Sequence, residues 1–203
     1  GIGGIGCVTR QQAQGQRLKA EGCRSARSWP ASHHTGSGDG TLHIDLMDND
    51  SIINGSGNTL GNTGFGNGNF MNGETYTIDK TPPIATSIIR ASPNPNNSAS
   101  VDFVVTFSES VSGVDASDFS LNTTNINNAT ISSVKNVDPF YIVTVNTGIG
   151  TGAIRLDLTD DDSIADLAGN RPGGPGTGNG NFINGETFNI EKSFPSVTSI
   201  IRA

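Results

Sequence analysis

Residues 35–91 return at 147–203 with a constant, ungapped offset of 112, and 32 of the 57 aligned positions are identical. The shared words include DSI (Asp50–Ile52 and Asp162–Ile164), GNGNF (Gly66–Phe70 and Gly178–Phe182), NGET and TSIIRA. Solenoid units repeat every 20–50 residues or so, and this period is too long for one. It suits one small domain per repeat, strung into an array. Arrays of that kind serve reach and surface contact, so a catalytic role is not the first expectation.

Composition narrows the fold. Hydrophobic residues make up 33% of the 203, with glycine and small polar residues filling the difference. Chains of this type build thin β-sandwich cores with long polar loops more readily than thick α/β cores. No run of about 18 apolar residues occurs, so no membrane span is expected, and residues 1–6 do not read as a signal peptide. The net charge of −7 is unevenly placed. Residues 1–34 carry Arg10, Arg17, Lys19, Arg24 and Arg27 against Glu21, leaving the remainder strongly acidic. An acidic body lacks the basic footprint that nucleic acid requires. It fits an extracellular protein that attracts divalent cations.

Residues 1–34 stand apart. They hold Cys7, Cys23, Trp29, His33 and His34, and they do not resemble 113–146, where the repeat would place their counterpart. The expectation is a non-repeat arm, disordered or artefactual. The rival is a native module closed by a Cys7–Cys23 disulfide. A zinc site from these cysteines and histidines would have a ligand spacing unlike the common structural patterns.

A complete repeat occupies 82–193, between the proline-bearing linkers at 79–83 and 191–195. Proline removes a backbone donor and interrupts a strand, as a linker should. Strands are expected at 84–91, 101–107, 118–122, 129–137, 141–147, 153–159 and 186–190. Val101, Phe103, Val105 and Phe107 alternate onto one face, as do Ile154, Leu156 and Leu158, with Asp102, Arg155 and Asp157 opposite. A period of two marks half-buried sandwich strands. Seven such strands predict an all-β, immunoglobulin-like β-sandwich. Residues 35–81 are the C-terminal part of such a repeat, with strands at 41–47 and 75–78. Residues 194–203 are the first strand of a following one.

The linker Asp79–Pro83, the stretch VVTFSESVSGVDASDFSL, YIVTVNTG, IRLDLTDDDSIADLAGN and GNGNF…NGET together resemble bacterial Ig-like repeats of large secreted or surface-anchored proteins, adhesins among them. The resemblance covers about residues 35–203 in two copies. It implies an extracellular or cell-surface location, tandem arrangement, and calcium at the joints between repeats.

Acidic residues give that last implication candidates. Calcium takes six to eight oxygens from carboxylates, amides and carbonyls. Counting seven strands up and down places Asp79 of the linker at one pole with Glu109, Asp115, Asp160 and Asp162, and Asp166 and Asn170 follow in the same loop. The competing reading is that these side chains keep a long loop solvated, since the spacing is not that of an EF-hand. Glu74 and Glu186 of the NGET words read as turn residues rather than as general acids. His43 stands where the other copy has Arg155, and reads as an exposed strand residue. The Gly-Asn runs at 64–69 and 176–181 do not lead a strand into a helix, so they are not phosphate loops. No nucleophile–base pattern is visible. The expected function is a non-catalytic structural or adhesive spacer, calcium-rigidified, whose partners are neighbouring repeats or another copy by strand addition. The alternatives are a carbohydrate- or protein-binding module, or an accessory domain of a secreted hydrolase.

Overall fold

The computed structural model describes Cys7–Gln11, Arg17–Lys19 and residues 35–202, with side chains for the last of these ranges. The chain divides into two compact units, Gly1–Thr81 and Pro82–Ala203.

In the first unit, strands β1 (Cys7–Gln11), β2 (Arg17–Lys19), β3 (Gly40–Leu46) and β4 (Thr75–Ile78) form one sheet in the order β2-β1-β3-β4. Two stretches of the arm expected to be disordered are therefore strands, and β1 pairs antiparallel with β3. A lone β3–β4 ribbon would be marginal in water, and the added strands widen it. The rest of the arm, including the disulfide and zinc questions, lies outside the described residues.

The second unit holds β5 (Ala85–Arg90), β6 (Ser100–Phe107), β7 (Val111–Ser112), β8 (Phe119–Thr124), β9 (Thr130–Val137), β10 (Phe140–Asn146), β11 (Gly152–Leu158), β12 (Ala165–Asp166) and β13 (Thr187–Ile190). Two antiparallel sheets, β5-β6-β10-β9 and β13-β11-β8, face each other as a β-sandwich. All seven expected strands are present. Consecutive strands do not all lie in one sheet: the chain changes sheet between β6 and β8, between β8 and β9, and again between β10 and β11. Short β7 and β12 pair outside the two main sheets.

Alternation builds the core. Val101, Phe103, Val105 and Phe107 of β6 point inward with Tyr141, Val143 and Val145 of β10. They meet Ile154, Leu156 and Leu158 of β11 and Phe188 and Ile190 of β13. The rings of Phe103 and Phe188 touch across the gap, centroids 5.0 Å apart and nearly perpendicular, the arrangement that their quadrupoles favour. Arg155 and Asp157 were expected on the open face. There the guanidinium grips both carboxylate oxygens, at 2.7 and 2.9 Å, and Asp157 is buried in the process.

The tail departs from expectation. Residues 191–202 form no strand, and Ile200 and Ile201 are 92% and 87% exposed. A strand is held by its neighbour's ladder, and the tail has no such neighbour among the described residues.

Candidate functional site

The long loop after β11 is a built object, and it is built twice. Leu158 and Phe182 exchange backbone hydrogen bonds at its neck, 2.9 and 3.0 Å. Just inside, the Asp160 amide donates to Asn181 Oδ1 at 2.7 Å, while its carboxylate accepts the Gly180 amide at 3.1 Å and the Asp162 amide at 3.2 Å. Gly178 donates to the Asp160 carbonyl, 2.8 Å, and Gly176 to Asp162 Oδ2, 2.9 Å. The first unit repeats every one of these contacts 112 residues earlier. Leu46 pairs with Phe70, Asp48 holds Asn69, Gly68, Asp50 and Gly66, and Asp50 holds Gly64.

This explains the residue types. A loop of about twenty residues has backbone donors that no sheet satisfies, and a short carboxylate anchored at the neck can collect several. Gly66 and Gly178 sit at φ of 85° and 84°, a region glycine enters without strain. At Gly180 an added Cβ would lie 2.4 Å from Pro172 Cβ. The GNGNF words are thus loop staples, with Phe182 partly buried against the core.

The seven residues proposed as cation ligands have varied employments. Asp79 belongs to the first unit and accepts the Thr81 amide at 3.0 Å. The other six are in the second. Asp160 and Asp162 are brought together by the loop. Asp166 and Asn170 also meet: the Asn170 amide and Nδ2 donate to the two carboxylate oxygens, each 2.8 Å. Burial pushes the Asp166 carboxyl upward, but these bonds outweigh it and hold it below the ordinary range. Asp115 caps a turn of 3-10 helix, Ala116–Asp118, accepting the Ser117 amide at 2.7 Å. Glu109 is half-buried beside Val111 and Tyr141, lining a cavity of about 150 Å³.

Two participants were missed by the sequence reading. Asp118, fully buried, accepts from Ser163 Oγ and from the Asp115 amide, both at 2.6 Å. Asp161 lies close enough to Asp115 and Asp118 to disfavour charge on both. A third finding concerns Glu186, read as a turn residue. It accepts the Arg90 amide at 2.8 Å and pairs with the guanidinium at 3.5 Å, tying β5 to β13. His43 pairs with buried Asp45 at 3.3 Å, mirroring Arg155 and Asp157.

For a cation, the observations point both ways. Asp162 Oδ1 is buried and without a hydrogen bond, as an unfilled ligand would be. Yet both carboxylate oxygens of Asp160 and of Asp166 already accept N–H groups, and the Arg171 guanidinium stands 3.7 Å from Asp162 Oδ2.

The joints are also duplicated. Lys192 Nζ donates to Thr147 Oγ1 at 2.8 Å and to the Gly148 carbonyl at 2.6 Å, and Thr147 is fully buried. Lys80 Nζ donates to the Gly36 carbonyl in the same way. The backbone amides of the two lysines are held as well, Lys80 by Asp39 at 2.6 Å and Lys192 by Thr151 at 3.0 Å.

Compared with known proteins, the chain matches no family model, no curated protein and no solved structure.

The acidic groups give the second unit a defined response to pH. Burial raises the Asp118 carboxyl above the ordinary 3.8, so the folded state binds that proton more tightly than the unfolded chain does. Its cost at neutral pH is relieved as pH falls through the raised value. Hydrogen bonds from Ser117 and Ser163 lower Asp115 and Asp161, and with Asp166 their contribution is lost below 3.8. Melting temperature followed from pH 7 downward is expected to rise, peak near the ordinary carboxylate value, and then drop. A monotonic fall from neutrality would contradict this.

Proposed function

We propose that the chain is a non-catalytic spacer, a piece of a tandem array of immunoglobulin-like β-sandwich units in an extracellular surface protein. The observation that carries this reading is the pinned exit. In both copies a lysine at the start of the linker is fastened back onto the body of its own unit, to Gly36 or Gly148, so the direction in which the chain leaves is set by the fold. A binding or catalytic module has no need to control where its linker points, whereas a spacer does. The strand orders β5-β6-β10-β9 and β13-β11-β8 support the immunoglobulin-like part, being those of a constant-type sandwich. Calcium belongs to the reading through the orphan oxygen of Asp162 and the surface acids around Asp115 and Asp161.

Force spectroscopy tests it. A load-bearing spacer resists until the second unit unfolds in one step, lengthening the chain by roughly 35 nm, at about 3.4 Å per residue over 85–190. Extension at low force with no such step would refute the spacer role. Saturable binding of a glycan to the 160–181 loop would move the chain to a binding module instead. Repeating the pull with calcium in place of chelator tests the ion: an unchanged unfolding force removes calcium from the proposal.

A further inference from the structure

The two copies of the repeat bury a carboxylate at the same place and balance it differently. In the second unit Asp157 of β11 is 8% exposed, and Arg155 grips it with Nε on Oδ1 at 2.7 Å and Nη2 on Oδ2 at 2.9 Å. A guanidinium keeps its charge at any pH a folded protein meets. In the first unit Asp45 of β3 is 4% exposed, and the residue two before it is His43. The imidazole Nε2 stands 3.3 Å from Asp45 Oδ2, while Oδ1 is buried with no hydrogen bond among the described residues. One carboxylate is held on both oxygens by a permanent cation, and the other on one oxygen by a ring that can take or lose a proton.

The difference has a physical consequence. A buried carboxylate whose counter-charge is missing carries an uncompensated desolvation cost. Neutral imidazole offers it an N–H and no charge, whereas imidazolium offers both. Among side chains with ordinary titration behaviour, histidine is the one that changes charge between about pH 5 and 8. The His43 side chain is 28% exposed, so protons reach it, while that of Asp45 is 6% exposed. The ladder places Arg10 of β1 opposite His43 and Val8 opposite Asp45, with Arg17 and Lys19 of β2 beyond them and Thr75 of β4 on the other side of His43. Asp45 is the one acidic residue in these two rows, which makes it the counter-ion of the ring.

We propose that His43 and Asp45 form a pH-sensitive clamp that tightens the first unit on mild acidification, at the position where the Arg155–Asp157 pair of the second unit is indifferent to pH. The sign follows from linkage. Protonation gives the folded unit an ion pair that the unfolded chain lacks, so stability is added as pH falls through the histidine range and withdrawn as pH rises through it. The inference goes beyond the spacer reading and does not rest on it, since it concerns the stability of one unit.

Thermal unfolding of the full chain, followed by NMR on the amide signals of β3 for the first unit and β10 for the second, tests it. Variants are compared with wild type at about pH 7.5 and about pH 5.5, toward the two ends of the histidine range. His43→Arg is expected to melt above wild type at the higher pH by about 4–8 °C, the shift that one such contact produces in a small domain. It loses most of that lead at the lower pH, where the wild-type ring is charged as well. His43→Gln is neutral throughout and falls further behind wild type as pH drops. Arg155→His transplants the clamp: its second unit melts below wild type at the higher pH and recovers part of the deficit at the lower. Because each variant is read against wild type at the same pH, titration elsewhere, Asp118 included, cancels. A lead of His43→Arg that is equal at both pH values overturns the proposal, as does a His43→Gln deficit that stays constant. An Arg155→His deficit that does not narrow overturns it too, in the complete sandwich and independently of how the first-unit variants fold.

Discussion

Replacing Phe188 by alanine will destabilise the second unit by about 3–5 kcal/mol, while Tyr76→Ala at the matching position of the first unit will change stability by less than about 1 kcal/mol. The two residues occupy the same place in the repeat, on β13 and β4. Phe188 is 0% exposed and stacks edge-on against Phe103 at 5.0 Å. Its removal leaves a hole between two sheets that cannot close without moving both backbones, so the lost transfer energy and the cavity add. Tyr76 is 57% exposed, with no second sheet over it among the described residues. Small domains have total stabilities of about 5–15 kcal/mol, so the first substitution threatens the fold and the second does not. Hydrogen exchange of the β10 amides reports the second unit directly. Equal protection in wild type and Phe188→Ala would mean that the sandwich core is not as described.

Asp160→Ala will cost about 2–4 kcal/mol, because it strips the acceptor from the Gly180 and Asp162 amides together, and an unsatisfied buried donor costs about 1–3 kcal/mol. Asp160 is 5% exposed, so water replaces the carboxylate poorly. The first residues to exchange should be Gly176–Asn181, ahead of the sheets, and Asp160→Asn, which keeps one acceptor, should fall between. Asp48→Ala should open 64–69 in the first unit by the same route. If Gly180 exchanges no faster in Asp160→Ala, the carboxylate is not the staple of the loop.

The sheets were legible in the sequence because strand formation leaves a local trace. Val101, Phe103, Val105 and Phe107 alternate with polar residues, turn-forming residues separate the runs, and all seven strands of the complete unit follow. Two-residue strands such as β7 and β12 are too short to have a period, and nothing local announces them. Strand order is a global property, and alternation is silent about which sheet a strand joins. The hydrogen-bonding work of the acids was illegible for a related reason. Asp160 acts on residues some twenty positions away, and spacing within a short window points to a metal shell or a solvated loop without showing the glycine amides across the neck. The signal was present in the repeat itself. Asp48, Asn69, Asp160 and Asn181 recur while 53–56 and 165–168 between them do not, so whatever those four do belongs to the frame of the loop and not to its tip. Glu186 shows the limit of that method, since its partner Arg90 lies 96 residues upstream.

The lysine that fastens each exit has a consequence for the mechanics of a longer array. With Lys80 anchored on its own unit, the residues left before β5 begins are Thr81, Pro82, Pro83 and Ile84, and two of those are prolines with a fixed φ. In the tandem array proposed above, such links would make the end-to-end span grow almost in proportion to the number of copies, whereas a glycine-serine tether of equal residue count gains only with its square root.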